Sequence, residues 1–199
     1  NFSRTLTPNG VPSPHLNWAP TEQEMVDALT DRNLDETPKV MVPDGKTARL
    51  TISDNRRKHL ESEIGAEAAQ SLSDAEMCDS MPYTLFPNLH PWGSYNRTCY
   101  RFRPYGNDPG MSIMECMILS PYEGDTPPKG AECLWVETDT SWTTVPELGL
   151  LGRVFDQDDA NLPFVQKGLE SGALDEVTFA EYQETKIRHF HMILEEWLA

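Results

Sequence analysis

The chain of 199 residues carries 32 acidic and 16 basic side chains, which gives a formal net charge of −16 at pH 7. That charge repels phosphate backbones and anionic lipids, so we expect neither nucleic acid nor a membrane surface as a partner. The sequence contains no run of about 18 apolar residues, the length that would predict a membrane-spanning helix.

The first 20 residues begin with Asn1, lack an apolar core and are rich in proline. They do not have the pattern of a signal peptide, so we expect a start produced by truncation or cleavage. The four cysteines are scattered and form no C-x-x-C pair: Cys78, Cys99, Cys116 and Cys133. This spacing excludes zinc-ribbon and thioredoxin motifs, and we expect a reduced, cytoplasmic protein.

The N-terminal half is predicted to be helical. Thr21 and Glu24 form a capping-box pattern in front of apolar residues at helical spacing. Apolar residues recur every four positions further along, and a second capping box follows. The sequence therefore predicts a helix over residues 22–32, a loop over 33–48 with a brief strand at 40–42 as an alternative, a helix over 54–71 and a short helix that starts at residues 73–76.

The middle of the chain changes to a two-residue period, which is typical of strands. Pro87 interrupts the first of these strands and suggests an edge strand or a bulge. Turn residues fill 106–110, as expected between strands of an antiparallel meander. The predicted strands are residues 83–89, 98–103, 112–119 and a last short one at 134–136.

The C-terminal part is predicted to be helical again, over residues 144–170 and 178–198. Helices, then strands, then helices are typical of the α+β class and not of alternating βαβ units.

Two aspartates fall beside the apolar stripe of the predicted long helix. Asp159 lies at the margin of the stripe, and ideal helical spacing puts Asp158 closer to its centre. A carboxylate near a buried stripe is costly unless it is paired or binds a metal. Pro163 cannot donate to the Asp159 carbonyl, so we expect a locally loosened helix there. A solvated acidic turn is the alternative. The stripe that should face the core consists of Leu148, Leu151, Phe155, Leu162, Val165 and Leu169.

The histidines of the chain form no metal-binding pattern. There is no H-E-x-x-H or H-x-x-x-H pair, and His189 and His191 point to different sides of their helix. Nucleophile-elbow, dinucleotide-binding and P-loop motifs are absent as well. These residues alone therefore do not assemble a complete active site.

Several stretches resemble the second half of the α subunit of Rieske-type non-haem iron aromatic-ring oxygenases. The most specific is residues 152–169, where an Asp–Asp pair follows an aromatic residue and precedes V-Q-x-G-L, as in the family's carboxylate-ligand helix. The other similar stretches are residues 10–16, the F-P-N strand at 85–88, the R-x-x-P-x-G hairpin at 101–106 and the terminal-helix residues 187–191.

This resemblance implies an α+β fold with a partial helix-grip, in which an antiparallel sheet curves around a long C-terminal helix. Residues 1–199 would be the C-terminal portion of the oxygenase catalytic domain, without the Rieske domain and the iron-binding histidines. Asp159 would be the carboxylate ligand of iron, with Asp158 as a supporting neighbour. Phe155 would line the substrate pocket. Arg103 falls where some members place a pocket residue, with a solvent-facing strand arginine as the favoured alternative.

The resemblance also implies a ring-hydroxylating dioxygenase that uses O2, a mononuclear iron(II) and an aromatic substrate. A [2Fe–2S] Rieske cluster would deliver electrons from NAD(P)H through a reductase and often a ferredoxin, in a homotrimer or an α3β3 assembly. The isolated 199-residue chain is expected to be inactive. The alternatives are a metal-free helix-grip module that binds an apolar ligand and a structural fragment without a pocket.

Overall fold

The computed structural model describes residues 1–30, 37–93, 95–122 and 124–199. It contains a five-stranded antiparallel sheet whose strand order follows the order of the chain. The strands are β1 (Phe2–Arg4), β2 (Met81–Leu85), β3 (Leu89–Gly93), β4 (Thr98–Pro104) and β5 (Ser112–Ile118).

The helices precede and follow the main part of the sheet, which confirms the α+β class. Two 3₁₀ turns, Trp142–Thr144 and Pro146–Leu148, lead into the longest helix. The α-helices in the described residues are α1 (Glu22–Leu29), α2 (Ala48–Ile64), α3 (Ala66–Ser71), α4 (Asp74–Cys78), α5 (Leu151–Glu170) and α6 (Thr185–Leu198). None of the helices described here is both long and apolar enough to cross a membrane.

Both predicted capping boxes form. The Thr21 hydroxyl accepts from the backbone N–H of Glu24, whose carboxylate accepts from the backbone N–H of Thr21 at 2.7 Å. Ser73 and Glu76 make the same pair of bonds at the start of α4. Because these bonds favour the charged carboxylate, they lower the pKa of both glutamates. Helix α1 ends at Leu29, and the remainder of its predicted range falls largely on residues 31–36, outside the described residues.

The predicted single helix over residues 54–71 is wrong. Thr47 caps a helix that begins at Ala48, and Gly65 divides it from α3. Gly65 has a φ of +84°, a conformation that glycine adopts without the strain a side chain would bring. A local backbone conformation at one residue therefore ends α2, which the repeating apolar pattern does not reveal.

Helices α1 and α2 share an apolar core with Cys78 at the end of α4. Val26 and Ile52 are almost fully buried in it, and each contributes about 1.5–3 kcal/mol relative to an exposed side chain. Arg49 fastens the N-terminal segment, because its guanidinium bonds the Asp79 carboxylate and the backbone carbonyl of Asn9. The core cluster consists of Met25, Val26, Ala48, Ile52 and Cys78.

The predicted strand over residues 83–89 is a hairpin instead. Strand β2 ends at Leu85, the chain turns at residues 86–88 through a cis Phe86–Pro87 bond, and β3 pairs back from Leu89. Proline cannot donate to a strand ladder, so the reversal falls where the ladder would be interrupted. Both strands are interior to the sheet, so the expected edge position is also wrong.

The two strands that follow are confirmed, as β4 and β5, and they pair over their full length. The turn chemistry at residues 106–110 is confirmed between them. Neither residues 40–42 nor residues 134–136 form a strand. All four cysteines lie in the described part of the chain and carry free thiols.

Helix α5 begins at Leu151, seven residues later than the predicted start, because the 3₁₀ turns occupy the preceding segment. It continues through Pro163 to Glu170. The predicted buried stripe is wrong beyond Phe155, because the stripe residues that follow it are exposed, whereas Phe155 packs against the sheet and the preceding 3₁₀ turn. The stripe residues exposed to solvent are Leu162, Val165 and Leu169.

The C-terminal helix is shorter than the predicted range of 178–198, since α6 begins at Thr185. It lies against the β2–β3 hairpin, where the Phe86 ring packs against Phe190 and Trp197 at 5.3 and 5.2 Å. Lys186 donates to the carbonyl of Pro82 at 3.2 Å. These contacts attach the end of the chain to the interior strands of the sheet.

Candidate functional site

The first turns of α5 carry the residues that the sequence singles out. Phe155 is 4% exposed and inserts between β4 and the 3₁₀ turn at Trp142–Thr144. Its ring meets Tyr100 at 5.6 Å and Trp142 at 5.2 Å, both edge to face. Such arrangements are favoured by the quadrupoles of the rings, so the three aromatic side chains form a defined cluster.

Asp156 binds the main chain of the 3₁₀ turn to α5. Asp156 accepts from the Ser141 hydroxyl at 2.6 Å and from the backbone N–H of Trp142 at 2.7 Å. Gly152 lets the two backbones approach, because an added Cβ would lie only 3.0 Å from the Trp142 carbonyl oxygen. Trp142 is thus held in place through its main chain and packs edge to face against Phe155 through its side chain.

Asp159 lies one helical turn after Phe155, on the exposed side of α5. The indole N–H of Trp142 donates to its Oδ2 atom. Asp158 is exposed as well, so the expectation from ideal spacing that it lies nearest the centre of a buried stripe is not met. The structure therefore brings Asp159 and Phe155 together around Trp142.

Tyr100 is the half-buried member of the cluster. Burial raises its pKa to about 12, and the negative charge of Cys116 in its thiolate form and of Asp158 acts in the same direction. The phenol is therefore neutral at physiological pH and offers an O–H donor beside the aromatic rings. Sequence reasoning placed Tyr100 on a strand but did not assign it to the site.

His90 lies directly opposite Tyr100 on the neighbouring strand. Its ring contacts Phe102 edge-on at 5.4 Å, and its Nδ1 atom is 3.4 Å from the Thr84 hydroxyl. Burial, and then the positive charge of Lys186, lowers the pKa of His90. The imidazole is therefore neutral near pH 7, on the sheet face that α5 covers. The two-residue period of β4 could have shown from the sequence that Tyr100 and Phe102 share a face of the sheet. The sequence did not reveal the strand register that places His90 opposite Tyr100.

Arg103 lies on the opposite face of the sheet from Tyr100, as the alternation of β4 predicts. There it pairs with Glu115 at 2.7 Å, and Arg101 bonds the same carboxylate. Hydrogen bonds from Arg101 and then Arg103 lower the pKa of Glu115. The structure does not bring Arg103 together with Phe155 or Asp159.

Iron bound by two histidines and a carboxylate needs three ligating side chains in one place. No such group of histidine, cysteine, aspartate or glutamate occurs within residues 1–30, 37–93, 95–122 and 124–199. Asp159 fits the carboxylate position, because it is exposed and its one bonded partner there is a neutral donor. The described residues thus offer one carboxylate that such a site could use and do not form a complete site.

Two clefts, of about 320 and 540 Å³, lie beside the N-terminal helices and include no residue of α5. The first is polar and is lined by Arg56, Asp79 and Tyr95 among others.

Residues 13–199 match the family model described as the ring hydroxylating alpha subunit, catalytic domain. The match covers nearly the whole chain, so the chain belongs to this family. The family is one of ring-hydroxylating oxygenases, which makes the intact protein an oxidoreductase. No curated protein and no solved structure matches the chain.

Proposed function

We propose that the intact protein is a Rieske-type non-haem iron dioxygenase that inserts oxygen into an aromatic substrate. Residues 1–199 would form the C-terminal portion of its catalytic domain. The observation that supports this proposal is the family match over residues 13–199, combined with a carboxylate placed beside three aromatic rings.

In this proposal Asp159 is the carboxylate ligand of a mononuclear iron(II), and two histidines from outside this chain complete the site. Its exposure on α5 leaves space for those ligands, and its bond from the Trp142 indole brings no positive charge to the carboxylate. Asp158, the adjacent exposed acid, would add negative potential near the metal. Bound iron would supply the redox chemistry with dioxygen.

Phe155 would belong to the wall of the substrate pocket mainly by supporting the rings of Tyr100 and Trp142, because its own ring is 4% exposed in this chain. Offset and edge-to-face contacts between rings are worth about 0.5–1.5 kcal/mol each beyond the area they bury, which favours a flat arene there. The neutral phenol of Tyr100 would donate a hydrogen bond without introducing charge. Arg103 would not be part of this wall, because its guanidinium pairs with Glu115 on the other face of the sheet.

The proposed intact system has further components beyond this chain. A [2Fe–2S] Rieske cluster would deliver electrons that originate from NAD(P)H and pass through a reductase and a ferredoxin. The α subunit would assemble as a homotrimer or as α3β3 in the cytoplasm. This chain alone would be inactive, since one carboxylate does not retain iron.

The experiment replaces Asp159 by alanine in the intact α subunit. We expect loss of mononuclear iron and of substrate turnover, with the visible spectrum of the Rieske cluster unchanged. Asp175→Ala, which removes an exposed acid beyond α5, should retain both iron and turnover. A variant without Asp159 that keeps full iron content would refute the proposed ligand.

The second candidate is a metal-free module that binds an apolar ligand between sheet and helix. It is favoured by the aromatic cluster together with the lack of three grouped ligating side chains in the described ranges. Under that function Asp159→Ala would leave ligand binding and metal content unchanged, so the same variant separates the two.

A further inference from the structure

Trp142 contacts two consecutive turns of α5 on one side of the helix. Its ring packs on Phe155, and its Nε1–H donates to Oδ2 of Asp159, four residues later. Residues four apart lie on the same helical face, so one indole can reach both. The direction of the Asp159 carboxylate is therefore linked to the position of Trp142.

The position of Trp142 is itself fixed by three independent features. Asp156 accepts from its backbone N–H and from the preceding Ser141 hydroxyl. Gly152 presents no side chain where its carbonyl approaches α5. Its ring is held at 68° to that of Phe155. A side chain fixed in this way can hold a partner in one orientation, which a freely rotating surface residue cannot.

The Asp159 carboxylate has one oxygen engaged and one without a hydrogen-bond donor in the described residues. Oδ2 receives the indole N–H, whereas Oδ1 accepts no bond from the ranges that the structure covers. An indole is a donor only and carries no charge. It therefore orients the carboxylate without neutralising it, whereas an arginine would compete with a cation for the same oxygens.

We propose that Trp142 is a positioning residue that holds Oδ2 of Asp159 and presents Oδ1 to the metal. This inference rests on the proposed function of Asp159 as a metal ligand. Hydrogen-bond partners of metal ligands commonly contribute 10- to 100-fold to metal affinity. Removal of the indole donor should therefore lower iron affinity by about 10- to 100-fold without removing a ligand.

The first measurement uses this chain without metal and follows the side-chain N–H signals of its five tryptophans by ¹⁵N NMR. Trp142→Phe assigns the signal of Trp142, because that signal disappears. Asp159→Ala should move it upfield and leave the other four unchanged, and Asp175→Ala should move none. A Trp142 signal that does not respond to Asp159→Ala overturns the inference, whatever the metal does.

The second measurement compares iron affinity in the intact α subunit. Trp142→Phe keeps an aromatic ring to pack on Phe155, and Trp135→Phe is the matched control because Trp135 is exposed and outside the cluster. We expect weaker iron binding in Trp142→Phe alone, with the melting temperature and the Rieske spectrum of both variants retained.

The outcomes separate the two proposals. If Asp159→Ala loses iron and Trp142→Phe binds it normally, the positioning role is wrong and the ligand assignment stands. If Asp159→Ala retains iron, the ligand assignment fails and the positioning role fails with it. Weaker iron binding in both variants, with the NMR response above, supports the role of Trp142.

Discussion

Replacing Phe155 by alanine removes the side chain that attaches α5 to the sheet. Phe155 is 4% exposed, and the other buried residue of α5 is Gly152, which has no side chain to contribute. Truncation of a buried phenylalanine costs about 3–5 kcal/mol, from lost transfer free energy and from the cavity that remains. At about 2–4 °C per kcal/mol for a protein of this size, the melting temperature should fall by roughly 6–20 °C.

The matched control is Phe164→Ala on the same helix. Phe164 is 69% exposed, so its removal should change the free energy of unfolding by less than about 0.5 kcal/mol. Both variants are measured by urea denaturation followed by far-UV circular dichroism, and the midpoints are compared at equal slopes. Equal midpoints for the two variants would refute the claim that Phe155 anchors α5.

A double-mutant cycle then isolates the contact across the interface. Phe155→Ala and Tyr100→Ala remove the two rings that meet at 5.6 Å. An edge-to-face pair should give a coupling energy of about 0.5–1.5 kcal/mol between the two substitutions. Additive effects would mean that each ring stabilises the protein through other neighbours.

Two further predictions concern protonation. Burial raises the pKa of Tyr100 from an ordinary 10 to about 12, so the folded state holds this proton more tightly than the unfolded chain. The stabilisation that results is fully present below about pH 10 and is lost as the pH rises towards 12. Tyr100→Phe should remove that part of the pH dependence, which denaturation at several alkaline pH values measures, and an identical profile in the variant would contradict it. Lys186→Met removes a positive charge that lowers the pKa of His90, so the NMR titration of His90 should shift to higher pH. Lys58→Met, an exposed lysine on α2, should leave that titration unchanged, and a shift in the control instead would show that Lys186 is not the cause.

The features that follow from a few neighbouring residues were predictable from the sequence. The capping boxes at Thr21 and Ser73 form as expected, because their bonds join residues only three apart. The alternation of β4 placed Tyr100 and Arg103 on opposite faces, since the strand period alone decides this.

The features that depend on packing partners were not predictable. Leu162 and Val165 follow the same spacing as Phe155, yet they are exposed, whereas Phe155 has the rings of Tyr100 and Trp142 to pack against. His90 lies opposite Tyr100 because of the pairing register of β3 and β4. The residues of β3 alone do not predict that register. The assignment of Asp159 as a metal ligand stays a prediction. The hydrogen bond from the Trp142 indole to the Asp159 carboxylate gives one way to probe this residue.

The order of the strands also bears on how the chain reaches this arrangement. Strands β2 to β5 each pair with the next strand along the chain, so this meander needs only short-range encounters. The first strand is different, because Phe2 pairs with Leu85 and closes a loop of about 80 residues. Short-range pairings form faster than those that join distant parts of a chain. We therefore expect the three residues of β1 to join the sheet after the meander of β2 to β5 has formed.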